Sequence, residues 1–481
     1  MATASKVHLS ASQQPQFHVN GLHPESAAKA SQLLQTNHEQ HHIFFNQSGF
    51  HNHIAHHLLT LFALGASPTD LQTAYDTNAS YQRPTVALEE SIVSDMHDPA
   101  RFATYLGKEE YYHDFLVYFK QEIERNGWQA TLQTHVFAET PAADDMLVRM
   151  FAGFLHPIIH LGFGVEFQQP AVIAEALAQA AVHDNWMAPV FLGCEGVVRG
   201  RREKNEEGGM KQKKSIIEIL EECRNDPKLR HAAQFEDENK IRDGILKRAK
   251  GEMIEAATAY WIAEGEGLEE KTAEMIDATG SFFSILYIHI FIHTCPTTIR
   301  LLMLTHAVFT TASSQHPPHA IKFDFFLMHC LNSSIFFSAF LSPSSSLTPP
   351  QQRRLLEWKV WNDITMYVSR GCPAFLPQEI ANYTPAKDSG LESVIERVNR
   401  IQDDGHAAKL VRAIANAEAV CREWEGRDGY KGRVKGGMWK RIAHMAVDSV
   451  ESGEPHWVRS CGFEEAWTDV PLREEGEGAR L

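Results

Sequence analysis

The run His51-Asn52-His53-Ile54-Ala55-His56-His57 leads straight into the apolar stretch LLTLFALGA. On a helix His53 and His57 are four residues apart and share a face, so their imidazoles can approach one metal ion. The alternative is a helix end with solvated histidines. Against it, the helix continues as a nearly unbroken apolar run, and an unpaired polar group is costly to bury. A second pair, His156 and His160 in HPIIH, has the same spacing between the apolar flanks FAGFL and LGFGVEF. Two core histidines bonded to backbone carbonyls would give the same pattern. His329 ends the aromatic stretch FDFFLMH, where a lone histidine reads equally well as a satisfied core residue. In DDGHAAK, Asp404 as an N-cap would put His406 in the first helical turn and Lys409 on the same face. A protonated lysine repels a metal. A buried one can be neutral and can take up carbon dioxide to become an anionic oxygen ligand. On the surface it would simply stand beside a capping histidine.

Helices must position these groups. Residues 52–64 read as a buried helix ended by Gly65, with Ser67-Pro68 opening the next. Helical periodicity recurs at 100–107, 109–126, 144–155, 171–181, 215–223, 237–246 and 252–263. Residues 323–340 form a long apolar run, and SPSSSLTPP then leads to helices over 351–369, 391–402 and 406–424. Little of the chain alternates with period two. The expected fold is therefore mainly α, a single large helical domain with a metal site in its core. Its parts are a loose polar arm over 1–40 with a short helix near 25–34, a catalytic domain over 41–425, and a partly ordered tail over 426–481. A charged surface loop is expected at 200–214. The tract 280–308, GSFFSILYIHIFIHTCPTTIRLLMLTHAV, reads as an insertion that could disturb the placement of His329.

A net charge of −16 argues against nucleic acid or an anionic membrane as the main partner. Seven scattered cysteines without a CxxC fit a reducing compartment, and the N-terminus lacks a secretory apolar run, so a cytoplasmic protein is expected. The longest apolar stretch, 282–293, is too short to span a bilayer. The 26 histidines are the unusual number, and position has to decide what they do. There is no GxGxxG after a strand, no P-loop, no GxSxG and no HExxH. Glu110-x-x-His113 has the spacing of a di-iron helix, but Glu39-x-x-His42 makes a poor partner for it at the end of the arm.

Taken together, HHIFFNQSGFHNHIAHHLLTLFALGAS, FLHPIIHLGFGVEFQQPAVIAEALA, FDFFLMHCLNSSIFF, RLLEWK and DDGHAAKLVRAIANAE resemble the fungal questin oxidase-like proteins of aromatic polyketide pathways. The resemblance implies a helical enzyme that opens anthraquinone rings with dioxygen, described as Baeyer–Villiger oxidation. It further implies NADPH as a reductant and a non-haem Fe(II) held by histidines with a carboxylated lysine. Carried onto this chain, it makes His57, His160, His329 and His406 the metal ligands, with Lys409 as the carboxylated lysine. His53 and His156 are then alternative ligands of their pairs or partners of the ligands. Four imidazoles and one oxygen anion would leave one octahedral position open for dioxygen or substrate. The substrate would be a small aromatic polyketide. Two other readings stand beside it: a hydrolase using zinc-bound hydroxide, and a non-catalytic helical protein with structural histidines.

Overall fold

The computed structural model describes residues 1–203, 213–278, 280–282, 307–342, 345–387, 389–425 and 436–473. Its regular structure is mainly helical, with four short strands at Gly280–Phe282, Ala307–Val308, Phe323–Asp324 and Trp457–Val458. Among the described residues no single helix is long and apolar enough to cross a membrane.

The chain divides into two compact units. The first comprises Met1–Ala188, Ile335–Gln352 and Ile395–Ala413, and the second comprises Pro189–Ser334, Arg353–Val394 and Ile414–Leu481. Neither is one continuous segment. A division of this kind leaves no linker for composition to reveal, which is why the sequence reads as one domain from 41 to 425.

In the first unit the helix Ile54–Ala63 is buried on every side, as its unbroken apolar sequence requires. Asn52 secures its start by accepting from the Ile54 amide at 2.9 Å, while its own amide donates to Asn37 Oδ1 at 2.8 Å. The helix Pro170–Val182 is buried from Ala171 onward and packs on Ala152–Glu166 and Tyr112–Asn126.

The helix expected over 144–155 stops at Met150, and the axis turns by 95° into the next helix. At the turn Gly153, Phe154 and Leu155 all take left-handed φ values of 52°, 57° and 71°. For the two residues with a Cβ that conformation costs about 1–2 kcal/mol each. Regular helix resumes only at His156, so Pro157 falls in a first turn, where its missing N–H forfeits no bond. Gly162 lets this helix approach Phe336, since an added Cβ would lie 2.1 Å from the Phe336 ring.

The N-terminal residues are not a loose arm. Val7 and Leu9 are buried, and backbone amides of Val7, His8 and Leu9 donate to Gln35, Gln169 and Ser31, each at 2.8 Å. The glutamines and serines that suggest solvation serve instead as acceptors for an extended strand of chain. The helix near 25–34 runs from Pro24 to Gln40.

In the second unit Trp358 stacks on Phe191 with centroids 4.6 Å apart. The strands Phe323–Asp324 and Trp457–Val458 pair in parallel. The Asp324 carboxylate then accepts from the Ser460 and Cys461 amides at 2.7 and 2.8 Å. The tail is accordingly structured over residues 436–473, with Trp439 and Trp467 buried. The helix Ala188–Glu203 extends into the expected loop at 200–214, of which 204–212 lie outside the described residues. Most of the 280–308 tract also lies outside them. Its two ends pair as antiparallel strands, with Phe282 opposite Ala307.

One buried ion pair ties the helix that carries His156 to the one that carries His406. Arg412 bonds both carboxylate oxygens of Glu166, and its Nε donates to the Phe17 carbonyl at 3.0 Å. Both side chains are buried, at 2% and 1% exposure. Glu166→Gln should destabilise the fold by about 3–5 kcal/mol, because a buried guanidinium is left uncompensated. Arg412→Met with Glu166→Leu should recover most of that loss in urea titrations.

Candidate metal centre

Three histidines from distant parts of the first unit come together. One ligand atom from each of His53, His156 and His406 lies within 4.8 Å of the other two, and all three residues are buried. His53 ends the segment before the helix Ile54–Ala63, His156 starts the helix after the left-handed turn, and His406 starts the helix His406–Arg422.

Their hydrogen bonds fix which nitrogen carries the proton. His53 Nδ1 is 2.8 Å from Asp404 Oδ2, and His156 Nδ1 is 2.5 Å from the Gly153 carbonyl. His406 Nδ1 bonds the other oxygen of Asp404. A carboxylate or carbonyl oxygen can only accept, so each Nδ1 is protonated, and in the neutral ring the lone pair is on Nε2. His53 Nε2 and His156 Nε2 face each other at 2.7 Å. Two lone pairs that close repel unless a cation sits with them. A metal ion suits the arrangement, and ligand imidazoles are held by this kind of Nδ1–H bond to carboxylate or carbonyl. A proton suits it less. Burial, with the Lys409 charge adding to it, pushes the His53 pKa down to about 3.

Asp404 is therefore not the N-cap of the His406 helix. The capping side chain is that of Asp403, whose carboxylate accepts from the Gly405 and Ala407 amides at 2.7 and 2.9 Å. That leaves Asp404, whose side chain is 32% exposed, to hold two imidazoles at once. Burial pushes its carboxyl up, but the His406 and His53 imidazoles more than offset this and hold it well below the usual range. Gly405 between them has φ +87°, and a Cβ there would lie 2.7 Å from the His57 ring, so a side chain is excluded twice over.

The other candidates take different places. His57 is buried, with Nδ1 3.4 Å from the Asn78 amide nitrogen. His160 belongs to a second network, its Nε2 donating to Glu175 at 2.7 Å and its Nδ1 lying 3.1 Å from His56 Nε2. Glu175 also accepts from His38 Nδ1 at 2.6 Å. His329 lies in the second unit, where its Nδ1 donates to the Phe325 carbonyl at 2.6 Å. Lys409 is buried one turn after His406, and its charge acts on His53, His56 and His57. Burial lowers its pKa to about 8 against the pull of Asp404 and Asp403, which leaves roughly a tenth of it neutral at pH 7.

A reading by histidine spacing overlooks the carboxylates. Asp403-Asp404 supplies two where one cap is needed, and Glu175 is the single acid in the apolar helix PAVIAEALAQAAV. Both anomalies are visible in the sequence. His51 has no such marker. It stacks on His156 with centroids 3.9 Å apart, and its Nε2 meets His183 Nε2 at 2.7 Å.

A family model described as questin oxidase-like matches residues 50–289 and 296–414. A Baeyer–Villiger monooxygenase of Aspergillus aculeatus is 36% identical over 459 residues, covering 93% of this chain and 91% of its own length. An oxidoreductase of Aspergillus parasiticus is 34% identical over 508 residues, covering 98% and 95%. A questin oxidase of Aspergillus fumigatus is 33% identical over 483 residues, covering 98% and 100%.

Glu175 makes the second network pH-sensitive. Burial alone would raise its pKa, but the hydrogen bonds from His160 and His38 outweigh burial and bring it to about 2 from 4.5. Its contribution to stability is therefore present above pH 4.5 and is lost as the pH falls towards 2, and amounts to about 3 kcal/mol. Glu175→Gln should lower stability at pH 6 and should flatten the acid limb in urea titrations between pH 4.5 and 3.

Proposed function

The chain belongs to the questin oxidase-like family, and from that premise we propose that it opens a ring of an anthraquinone-like polyketide with dioxygen at a single non-haem iron. The observation that carries this reading is the convergence of three imidazoles whose tautomers are already fixed for metal binding. His53, His156 and His406 would hold the ion. Lys409, carboxylated, would add an anionic oxygen and offset part of the metal's charge. Fe(II), when bound, supplies the one-electron chemistry by which ground-state dioxygen reacts with a closed-shell arene.

The chain's own residues do the rest. Asp404 keeps the His53 and His406 rings in place with their Nε2 atoms turned away from it, and the Gly153 carbonyl does the same for His156. Burial keeps a competing proton off His53. Relatives named as oxidases and monooxygenases favour oxygen chemistry, and nothing among them favours the zinc hydrolase.

The stoichiometry separates two oxidative outcomes. In Baeyer–Villiger insertion one oxygen atom enters a carbon–carbon bond beside a carbonyl and the other leaves as water, drawing two electrons from a reductant such as NADPH. In dioxygenation both atoms enter the product and no reductant is consumed.

Protein reconstituted anaerobically with Fe(II) should hold about one iron per chain by elemental analysis. His406→Ala should abolish that binding, and Asp404→Asn should weaken it by about 10–100-fold through misoriented imidazoles. A wild type that retains no transition metal would refute the site. Dioxygen uptake dependent on a hydroxyanthraquinone would support the reaction class, and NADPH consumed per dioxygen would distinguish the two outcomes.

A further inference from the structure

The run Cys223-Arg224-Asn225-Asp226-Pro227-Lys228-Leu229-Arg230-His231 is basic in a chain of net charge −16. Arg224 falls in the last turn of the helix Ile216–Asn225, and Arg230 ends the short helix Pro227–Arg230. A helix C-terminus favours a cation, which accounts for basic residues there but not for what their charges face. Both arginines border a cleft of about 610 Å³ that lies wholly in the second unit, with His231, His316, Cys372 and Phe463 also in its wall. Small-molecule sites commonly have this volume.

Neither guanidinium has a carboxylate within ion-pair distance among the described residues, whereas Arg202, Arg248, Arg354 and Arg412 each hold one. Asp226, between the two in sequence, is committed as a helix cap, accepting from the Lys228 and Leu229 amides at 2.7 and 3.2 Å. Arg224 is held instead by a neutral group, its Nη1 donating to the Cys372 carbonyl at 2.9 Å. Cys372 takes a left-handed φ of 48°, unfavourable for a residue with a Cβ, and backbone strain of that kind gathers at functional sites. A Cβ on the preceding Gly371, at φ +84°, would lie 3.1 Å from the Phe463 ring, so these two parts of the wall are pressed together. Burial raises the Cys372 thiol pKa, and the charges of Arg224 and Arg230 both pull against it, so the two cations act on one wall of the cleft. Glu464 and Glu465 border the cleft too, but both are exposed, and Glu464 bonds His316 at 3.0 Å.

We propose that this cleft binds a phosphate-bearing small molecule, with the phosphate on Arg224 and Arg230. Two guanidiniums without carboxylate partners offer N–H forks from separate turns of chain, and a tetrahedral phosphate presents oxygens to both at once. A carboxylate presents one planar edge, which a single fork satisfies. The volume exceeds that of a bare phosphate, and Phe463 offers an aromatic face to the body of a larger ligand. Free phosphate and a phosphorylated nucleotide share this chemistry. The site is independent of the candidate metal centre, whose histidines belong to the first unit.

Calorimetry on the metal-free full-length protein tests this, with inorganic phosphate, malonate, adenosine, 5′-AMP, NADPH and NADH as probes. Inorganic phosphate should bind about tenfold or more tighter than malonate, and Arg224→Gln or Arg230→Gln should weaken it about tenfold with the melting temperature unchanged. Phosphate should also protect Arg224 and Arg230 from phenylglyoxal, read peptide by peptide, which a loss of folding cannot imitate because unfolding exposes both. The nucleotides separate the two sources. A preference for 5′-AMP over adenosine, or for NADPH over NADH, that disappears in the variants assigns a nucleotide, and phosphate that binds as tightly as any nucleotide assigns the free ion. No phosphate binding by wild type, equal binding of malonate, or undiminished affinity in both folded variants overturns the proposal and leaves the metal reading untouched.

Discussion

The arrangement of the first unit turns on two nitrogen lone pairs held 2.7 Å apart. His53 and His156 could relieve that repulsion if either ring moved its proton to Nε2, but neither can. Asp404 holds one Nδ1 proton and the Gly153 carbonyl holds the other. The energetic cost of facing lone pairs has to be met by rigid neighbours. The left-handed run Gly153–Leu155 aims a carbonyl at His156, Asp403 takes over the helix cap so that Asp404 is free, and the Arg412–Glu166 pair fixes one helix against the other. Each is a local cost of the kind that commonly gathers at functional sites.

Charge follows the same logic. Lys409 and the imidazoles bring positive or potentially positive groups into one buried region, where like charges disfavour one another. Two carboxylates answer them. Asp404 serves His53 and His406, and Glu175 serves His38 and His160. A single shared carboxylate could not hold all four imidazoles.

Much of this was legible in the sequence. The helical class and the buried helix after His53 follow from periodicity, and the motifs that carry His53, His156 and His406 stand out by the cost of burying polar groups. The order at both ends was not legible. Gln35, Gln169 and Ser31 look like solvated residues until a backbone strand is laid across them, and Trp439 and Trp467 anchor a tail whose glycines and charges suggested looseness. Nor was the division into two units, since each is assembled from three separated stretches.

The instructive difference concerns pairing. Spacing of four residues suggests that two histidines on one helix share one ion, so His53 would go with His57 and His156 with His160. The contacts run across helices instead. His53 meets His156 and His56 meets His160, like two rungs between neighbouring helices. Two residues on one helix face are neighbours, but their side chains project outward and meet whatever the next helix presents at the same level. The same HPIIH motif therefore reaches two networks: His156 meets His53 in the converging set, and His160 joins His56 to Glu175. Helical spacing identifies which residues can face a common partner element. Which of them face the same ion is decided by the register between helices, and a single sequence read by its own period does not contain that register.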